Sequence, residues 1–569
     1  MSSSLSRLWR RKPLAAYQQE WEQHELRPEF GLVSLVLFGI GATVGSGIFV
    51  LSGQIAAQNA GPATALSWLV ASAACLITAL AYAEFATLLK SPGSAYSFCY
   101  FGIGELCAVT AAYLVTLECG MSGAAVSRSW GDKLAYWVTA NGWGCADADA
   151  PCWINSLGGT TFNPAATLIS TLMVALILMG IKVSKVAIKI SVSIKVALVL
   201  FVILCGSVYV TPSNLTPFVP PPNTAHDGAP LPGFTGGFSG VMVGATSAFF
   251  GYIGFDEICC MVAETKNPAR NTPLGVMLTI VAITVLYVAA SLVLTGMVPY
   301  NTIDVNEGFG SAFVAVGAPW AMQITVVGEL LVVLPTVVFV SYLPQSRIVY
   351  AVSKDGHLPR IFSRVTGSGD LFWGSLVCGI LFTLVAAFVP FANLNDLISA
   401  GILLSFILTN SALMLTRSKQ QAGVPVAALV LGLGVLTAAL NKLDLGGAAG
   451  ITVSVLSALV ALAGLAALLR YDLRSDADTF KVPLVPIVPA VAIFVNFYLF
   501  WQLSWLGLGL VLALLACAAL TYFAYGFRHA RDFTALPADL VSSGGKLPSV
   551  LLHPTPAENT PAVEPDAMV

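Results

Sequence analysis

The chain has 569 residues, of which 57% are hydrophobic and only 10% charged, with a formal net charge of −2. A mean hydropathy of +0.82 and a pI near 6.2 exclude an ordinary soluble domain and leave no basic surface for nucleic acid. The composition is that of a polytopic membrane protein.

Residues 1–30 are polar and carry Arg7, Arg10, Arg11 and Lys12. No apolar leader core precedes Gly31, so the first apolar run is expected to act as its own insertion signal. Windows of about 19 residues place spans at roughly 32–52, 64–89, 100–127, 166–182, 187–210, 239–263, 275–298, 318–346, 372–391, 393–416, 424–440, 449–469, 484–505 and 506–527. The last two are divided only by Ser504 to Gly507. With the N-terminus inside, nearly every Lys and Arg falls on the inner side and only Arg128, Lys133 and Lys442 fall outside, as the positive-inside rule requires of an even count.

The first span holds Gly39-Ile-Gly-Ala-Thr-Val-Gly-Ser-Gly47 and the sixth Phe249-Phe-Gly-Tyr-Ile-Gly-Phe-Asp256. These glycine-rich interruptions occupy equivalent places in two successive groups of five spans. An odd number per group inverts the second group relative to the first, which is the pattern of an inverted-repeat secondary transporter with its site between two broken helices. The segments are therefore expected to be 1–31 as an inner N-terminal stretch, 32–210 as the first repeat, 211–416 as the second, 417–531 as four added helices and 532–569 as a disordered inner tail.

Around the first break, Gly41 and Gly45 also form a GxxxG pattern, so close helix packing is the competing explanation. If the helix unwinds near Thr43 to Gly47, the freed amides, with the Thr43 and Ser46 hydroxyls, suit a carboxylate. Carbonyls at Phe250, Gly251 and Ile253 in the sixth span would then face an amine, with Phe250 or Tyr252 as a gate. Together the two ends describe an amino acid.

Ionisable residues inside the spans are expensive and therefore informative. Glu118, about fifteen residues into the third span, needs a cationic substrate or Arg128 as partner. Glu257 lies deep after the sixth-span break, Glu264 beside Lys266 reads as an exposed pair, and Glu329 has no partner nearby in the sequence. Lys195 sits six residues beyond Lys189, about 9 Å of helical rise, so it either snorkels inward or faces the interior and exchanges a proton. Cys145 and Cys152 are spaced closely enough either to bridge in an oxidising compartment or to stand as two free thiols, and Asn214-Leu-Thr216 is a weak glycosylation sequon. No nucleophile–base pair or metal-ligand cluster stands out, so neither an enzyme nor a cofactor is expected.

Several stretches resemble the amino acid–polyamine–organocation (APC) superfamily, and within it the cationic amino acid transporters and their bacterial proton-coupled relatives. They are Gly39 to Phe49, Ala81-Tyr-Ala-Glu-Phe85, Pro92-Gly-Ser-Ala-Tyr96, Gly254-Phe-Asp256, Glu264-Thr-Lys-Asn-Pro268 and Ser346 to Gly356, in this order. The resemblance implies an all-α membrane protein of about fourteen helices, a five-plus-five inverted repeat with helices 1 and 6 broken, plus four more. It implies alternating-access transport of L-amino acids across a plasma membrane or, secondarily, an organelle membrane. Ile40, Thr43, Gly45, Ser46 and Gly47 would line the carboxylate end and Phe250, Gly251, Tyr252 and Ile253 the amine end, with Glu118 near the substrate. Lys195 falls where proton-coupled bacterial members carry a lysine, with the Thr336 hydroxyl facing it. Glu257, in place of a usual small residue, would add negative potential for basic substrates. The expected partners are thus an L-amino acid, cationic by preference, protons and the bilayer, with any accessory subunit unspecified. A broad neutral permease and a non-transporting amino acid sensor are the alternatives.

Overall fold

The computed structural model describes residues 6–22, 30–91, 93–143, 152–180, 185–262, 265–365, 371–442, 448–473 and 479–531. Among them ten helical segments are long and apolar enough to cross a membrane, and four shorter apolar ones complete the crossings. The first crossing is α2 (Leu32–Thr43), which stops at Val44 in an extended conformation and resumes as the helical segment 47–60. The rest of the first repeat is α3 (Thr64–Leu89), the third crossing built from α5 (Glu105–Thr116) and α6 (Ser122–Ala140), then α7 (Pro164–Leu178) and α8 (Lys185–Ser207). Two short elements lie on the inner side, α1 (Leu14–Glu22) and α4 (Ser94–Gly102).

The second repeat runs through α9 (Gly237–Ala248), a tight turn at Phe249–Tyr252 and the short α10 (Glu257–Cys260). It continues as α11 (Pro268–Met297), the loop helix α12 (Gly308–Ala315), the eighth crossing from α13 (Pro319–Gly328) and α14 (Leu334–Lys354), α15 (Phe372–Phe388) and α16 (Phe391–Arg417). The packing repeats with a two-fold relation. α2 lies on α11 as α9 lies on α3, α8 on α11 as α16 on α3, and α14 on α7 as α6 on α15. The third member of each repeat carries a single π-helical turn with a buried glutamate in it, Leu117–Met121 with Glu118 and Glu329–Val333 with Glu329. An inverted repeat thus appears in the packing as well as in the order of elements.

The last four helices are α17 (Gly423–Asn441), α18 (Ala448–Leu468), α19 (Ile487–Phe500) and α20 (Trp505–Thr521). α17 and α18 form a hairpin, α19 rests on α16 and α3, and α20 on α16 and α5. Leu431, Ile451, Leu459, Leu512 and Leu520 are exposed on them, the surface a lipid-facing layer requires.

Two sequence readings need correction. The third crossing does not end near residue 127, because α6 continues to Ala140, so Arg128 and Lys133 are buried helix residues rather than loop cations. Lys133 is matched by acids distant in sequence and Arg128 by Asp132 one turn on and by the distant carbonyls of Thr161 and Ala387, none of which a window average registers. Asn214 is buried and donates to the Gly296 carbonyl, so the sequon does not present an accessible amide. Cys152 is disulfide-bonded, while Cys145, Glu264 and the tail 532–569 lie outside the described residues.

The N-terminal stretch is part of a clasp on the inner face. Lys12, 4% exposed, pairs with Asp355 at 3.0 Å and with Glu20 at 2.8 Å, and Tyr96 donates to the same Asp355 carboxylate at 2.8 Å. Arg10 pairs with Glu105, which also accepts from the Tyr522 hydroxyl at 3.0 Å. From the C-terminal side, the Arg531 amide donates to the Asp355 carbonyl at 2.9 Å. Beside this clasp α3 and α16 are joined by a two-pronged pair, Arg417 to Glu84 at 2.7 and 2.8 Å.

His357 lies inside the clasp between the rings of Tyr100 and Tyr522, and neither ring nitrogen finds a hydrogen-bond partner among the described residues. Burial, and then the charges of Arg10 and Lys12, push its imidazole down from the ordinary 6.5 to about 3. Between those values the unfolded chain holds a proton that the folded chain refuses, so this part of the stability is complete above pH 6.5 and is lost as pH falls towards 3. His357→Phe keeps a ring in the slot and removes the titration. The fall in unfolding free energy between about pH 7.5 and about pH 5 is expected to be shallower in this variant than in the wild type, by up to about 1.4 kcal/mol per pH unit; parallel slopes would remove His357 from the effect.

Candidate functional site

A helix stopped inside the hydrocarbon leaves backbone groups that water cannot satisfy. At the end of α2 the Ile40 carbonyl accepts from the Val44 amide. The next carbonyl, Gly41, accepts from the ammonium of Lys195 at 2.8 Å, and that of Thr43 accepts from the Tyr287 hydroxyl at 3.1 Å. Lys195 is 2% exposed and faces the protein interior, not the inner interface. It stands at the negative end of the α2 dipole, where a cation is stabilised. Thr336 is not its partner: that hydroxyl donates to Val332 and Val333 on its own helix, as a helical threonine readily does. The charge that acts on Lys195 belongs to Glu257, which also faces Arg347.

The two breaks touch through their glycines. A Cβ on Gly47 would lie 2.4 Å from the Gly251 Cα, and one on Gly251 would strike the Trp68 ring at 2.6 Å. Gly41 and Gly45 face different neighbours, Val192 on α8 and Val337 on α14, so the GxxxG pattern is not one helix–helix seam. Gly254, at φ +116° and against Ala42 and Thr43, reverses the chain after Ile253 in a conformation that L side chains rarely adopt.

Next to this contact is a cavity of about 10 Å³, the room of roughly one water. Cys75, Glu118, Phe249, Tyr252, Ile253, Phe255, Asp256, Ile402 and Phe406 line it. Of the residues expected at the site it gathers Glu118, Tyr252 and Ile253. Ile40, Thr43, Gly45, Ser46 and Gly47 are buried across the break but outside this lining, Gly251 is spent on the contact with Gly47, and Phe250 stacks edge-on against Phe391 at the outer end of α16. The Tyr252 hydroxyl is engaged by the Trp68 carbonyl and Thr284, so its ring lines the cavity as a fixed wall.

Neither oxygen of Glu118 completes a hydrogen bond among the described residues, although the residue is 3% exposed and Ser405 lies beside it. Arg128, the alternative partner, is taken by the carbonyls of Thr161 and Ala387 and by Asp132. Ser46 also has a buried hydroxyl without a partner. Glu257, expected to influence the substrate, does not line the cavity; its neighbour Asp256 does. Successive residues on a helical turn project about 100° apart, so of the Asp-Glu pair one side faces the cavity and the other Lys195. Asp256 was readable in the sequence as the acid closing the sixth-span break, but its pairing with Glu118 depends on the Gly254 turn.

The amino acid permease family model matches residues 30–440, and the model of the permease C-terminus matches residues 480–530. The chain belongs to the amino acid permease family. The permease is 33% identical to the methylthioribose transporter of Bacillus subtilis over 73% of its own length and 87% of that protein's. It is 30% identical to the branched-chain amino acid permease BcaP of the same organism, covering 90% and 95% of the two chains. Its likeness to human cationic amino acid transporter 4, at 28% identity, spans 100% of the permease and 99% of the relative. These are transporters, not enzymes, and their names differ in substrate.

The glycine contact carries a direct expectation. Gly47→Ala forces the two breaks apart, and overpacking of this kind is expected to lower stability by about 1–3 kcal/mol and to abolish uptake in vesicles. Gly423→Ala, where nothing lies within 4 Å of the added Cβ, serves as the control and is expected to leave both unchanged.

Proposed function

We propose that this permease is a secondary active transporter that moves L-amino acids by alternating access, coupled to protons and favouring cationic substrates such as arginine and lysine. The observation that carries the reading is the juxtaposition of Glu118 and Asp256 in one buried cavity with no cation lining it among the described residues. Two carboxylates removed from water call for a positive partner, and a basic amino acid brings one on its side chain and another on its α-amine. The substrate carboxylate then falls to the amides ahead of the outer half-helix 47–60 and the unpartnered Ser46 hydroxyl. In the closed form described here the cavity holds about one water, so an amino acid enters only when one face opens.

Proton coupling rests on Lys195. Protonated, its ammonium caps the Gly41 carbonyl and holds α2 in place; deprotonated, it loses the attraction to the helix end and to Glu257. Gain and loss of that proton would thus bias the position of α2 relative to α8. Glu257 supports the lysine in this scheme. The relatives' names leave room for a second reading, a neutral amino acid permease, favoured by the apolar Phe249, Ile402 and Phe406 in the lining.

Uptake of labelled arginine and alanine into proteoliposomes, with and without an inward proton gradient at clamped voltage, separates the two. Gradient-dependent arginine accumulation is expected; a preference for alanine selects the neutral reading. Glu118→Gln is expected to weaken arginine binding roughly ten- to a hundredfold, the magnitude of a lost charged hydrogen bond, and unaltered affinity in a binding titration removes the residue from the site. Lys195→Ala is expected to stop gradient-driven accumulation while preserving substrate exchange. Uphill uptake at the wild-type level in that variant would sink the coupling role.

A further inference from the structure

Outside the substrate cavity, in the outer half, Lys133 of α6 is wholly buried and makes two ion pairs, 2.6 Å to Glu307 and 2.7 Å to Glu329, both carboxylates being wholly buried as well. Glu307 precedes α12 on the loop between the seventh and eighth crossings, and Glu329 occupies the π-helical turn of the eighth. One ammonium therefore faces two acids. With both acids ionised the cluster carries one surplus negative charge out of reach of water, which is strongly unfavourable. Beyond the ammonium, Glu307 Oε1 and Glu329 Oε1 have no hydrogen-bond partner among the described residues.

We propose that Lys133, Glu307 and Glu329 form a proton-binding site on the outer half of the permease, which takes one proton from the outer solution as that side closes. A proton shared by the two carboxylates cancels the surplus charge and turns one orphaned acceptor into a donor. The lysine occupies the space between the acids, so a sodium ion has no room there. The loop bearing Glu307 is also fastened to the outer half of the broken first helix, with Gly308 packed on Gly53 and Phe309 edge-on against Phe49. When segment 47–60 swings out, the loop goes with it. Lys133 and Glu329 then remain as a neutral pair, and Glu307 enters water as an ordinary ionised acid. Closure reunites the three and requires one proton. Other titratable groups acting on the cluster are the Tyr136 hydroxyl of α6 and the exposed Asp304, whose carboxylate already accepts from the amides of Asn306 and Glu307. From α8 the neighbour at Gly328 is the apolar Leu198, and Lys195 on that helix is directed to Gly41.

The site does not depend on the identity of the substrate or on proton exchange at Lys195. Infrared difference spectra of the reconstituted full-length protein, wild type against Glu307→Gln and against Glu329→Gln, test it directly. Each variant leaves a neutral cluster that needs no proton, so each is expected to lose the carbonyl stretch of one buried protonated carboxyl, whereas Lys195→Ala keeps it. In parallel, substrate exchange at varied outside pH is expected to change by up to about tenfold per pH unit in the wild type, the signature of one proton, and to lose that dependence in Glu307→Gln. Carboxyl bands that are the same in the wild type and both glutamine variants overturn the proposal, whatever the transport assays return.

Discussion

The hydrogen bond from Lys195 to the Gly41 carbonyl is the interaction on which the centre of this permease depends. A helix can stop within hydrocarbon only if something else satisfies its last carbonyls. Here a side-chain ammonium from α8 and a tyrosine hydroxyl from α11 do so, and both come from helices packed directly on α2. Remove the ammonium and the break loses the cation that stabilises its negative end. Keep it, and the backbone ahead of segment 47–60 stays unwound beside the glycines of the sixth crossing.

Several buried charges have their partners built in: Glu84 with Arg417, Asp355 with Lys12, Glu105 with Arg10. Against that background Glu118 stands out: neither of its oxygens has a hydrogen-bond partner among the described residues, and it shares its cavity with Asp256, which accepts from the Gly254 amide, while no cation lines the cavity among those residues. The contrast is between groups whose partners are built in and groups whose partner must arrive. Such a difference is what separates a scaffold pair from a binding position, since an ionised group buried without a partner destabilises the state that contains it.

Much of the architecture is legible in the sequence, because two glycine-rich interruptions at equivalent places in two groups of five spans, an odd number per group, leave few arrangements open. The finer geometry was not. Lys133 reads as a cation outside the third span because its partner Glu307 is 174 residues away, and Lys12 reads only as one of four cations of a polar N-terminal stretch because Asp355 lies 343 residues on. The Asp256-Glu257 pair could not be divided between cavity and lysine without the turn at Gly254, and Thr336 could not be denied to Lys195 until its hydroxyl was seen on its own helix. Each of these depends on long-range placement, whereas windows and spacings report only local pattern.

The inner clasp has a consequence for how the chain is made. His357 is flanked by Tyr100 from the first repeat and Tyr522 from the last crossing, and the Asp355 carbonyl is held by the Arg531 amide. A ribosome delivers Lys12 and Tyr100 long before Tyr522 and Arg531. Both five-helix repeats can therefore be inserted and packed while the inner seal is still half built. Only translation through Arg531 completes it, so a nascent chain stopped short of Tyr522 has its two repeats but not its closed inner face.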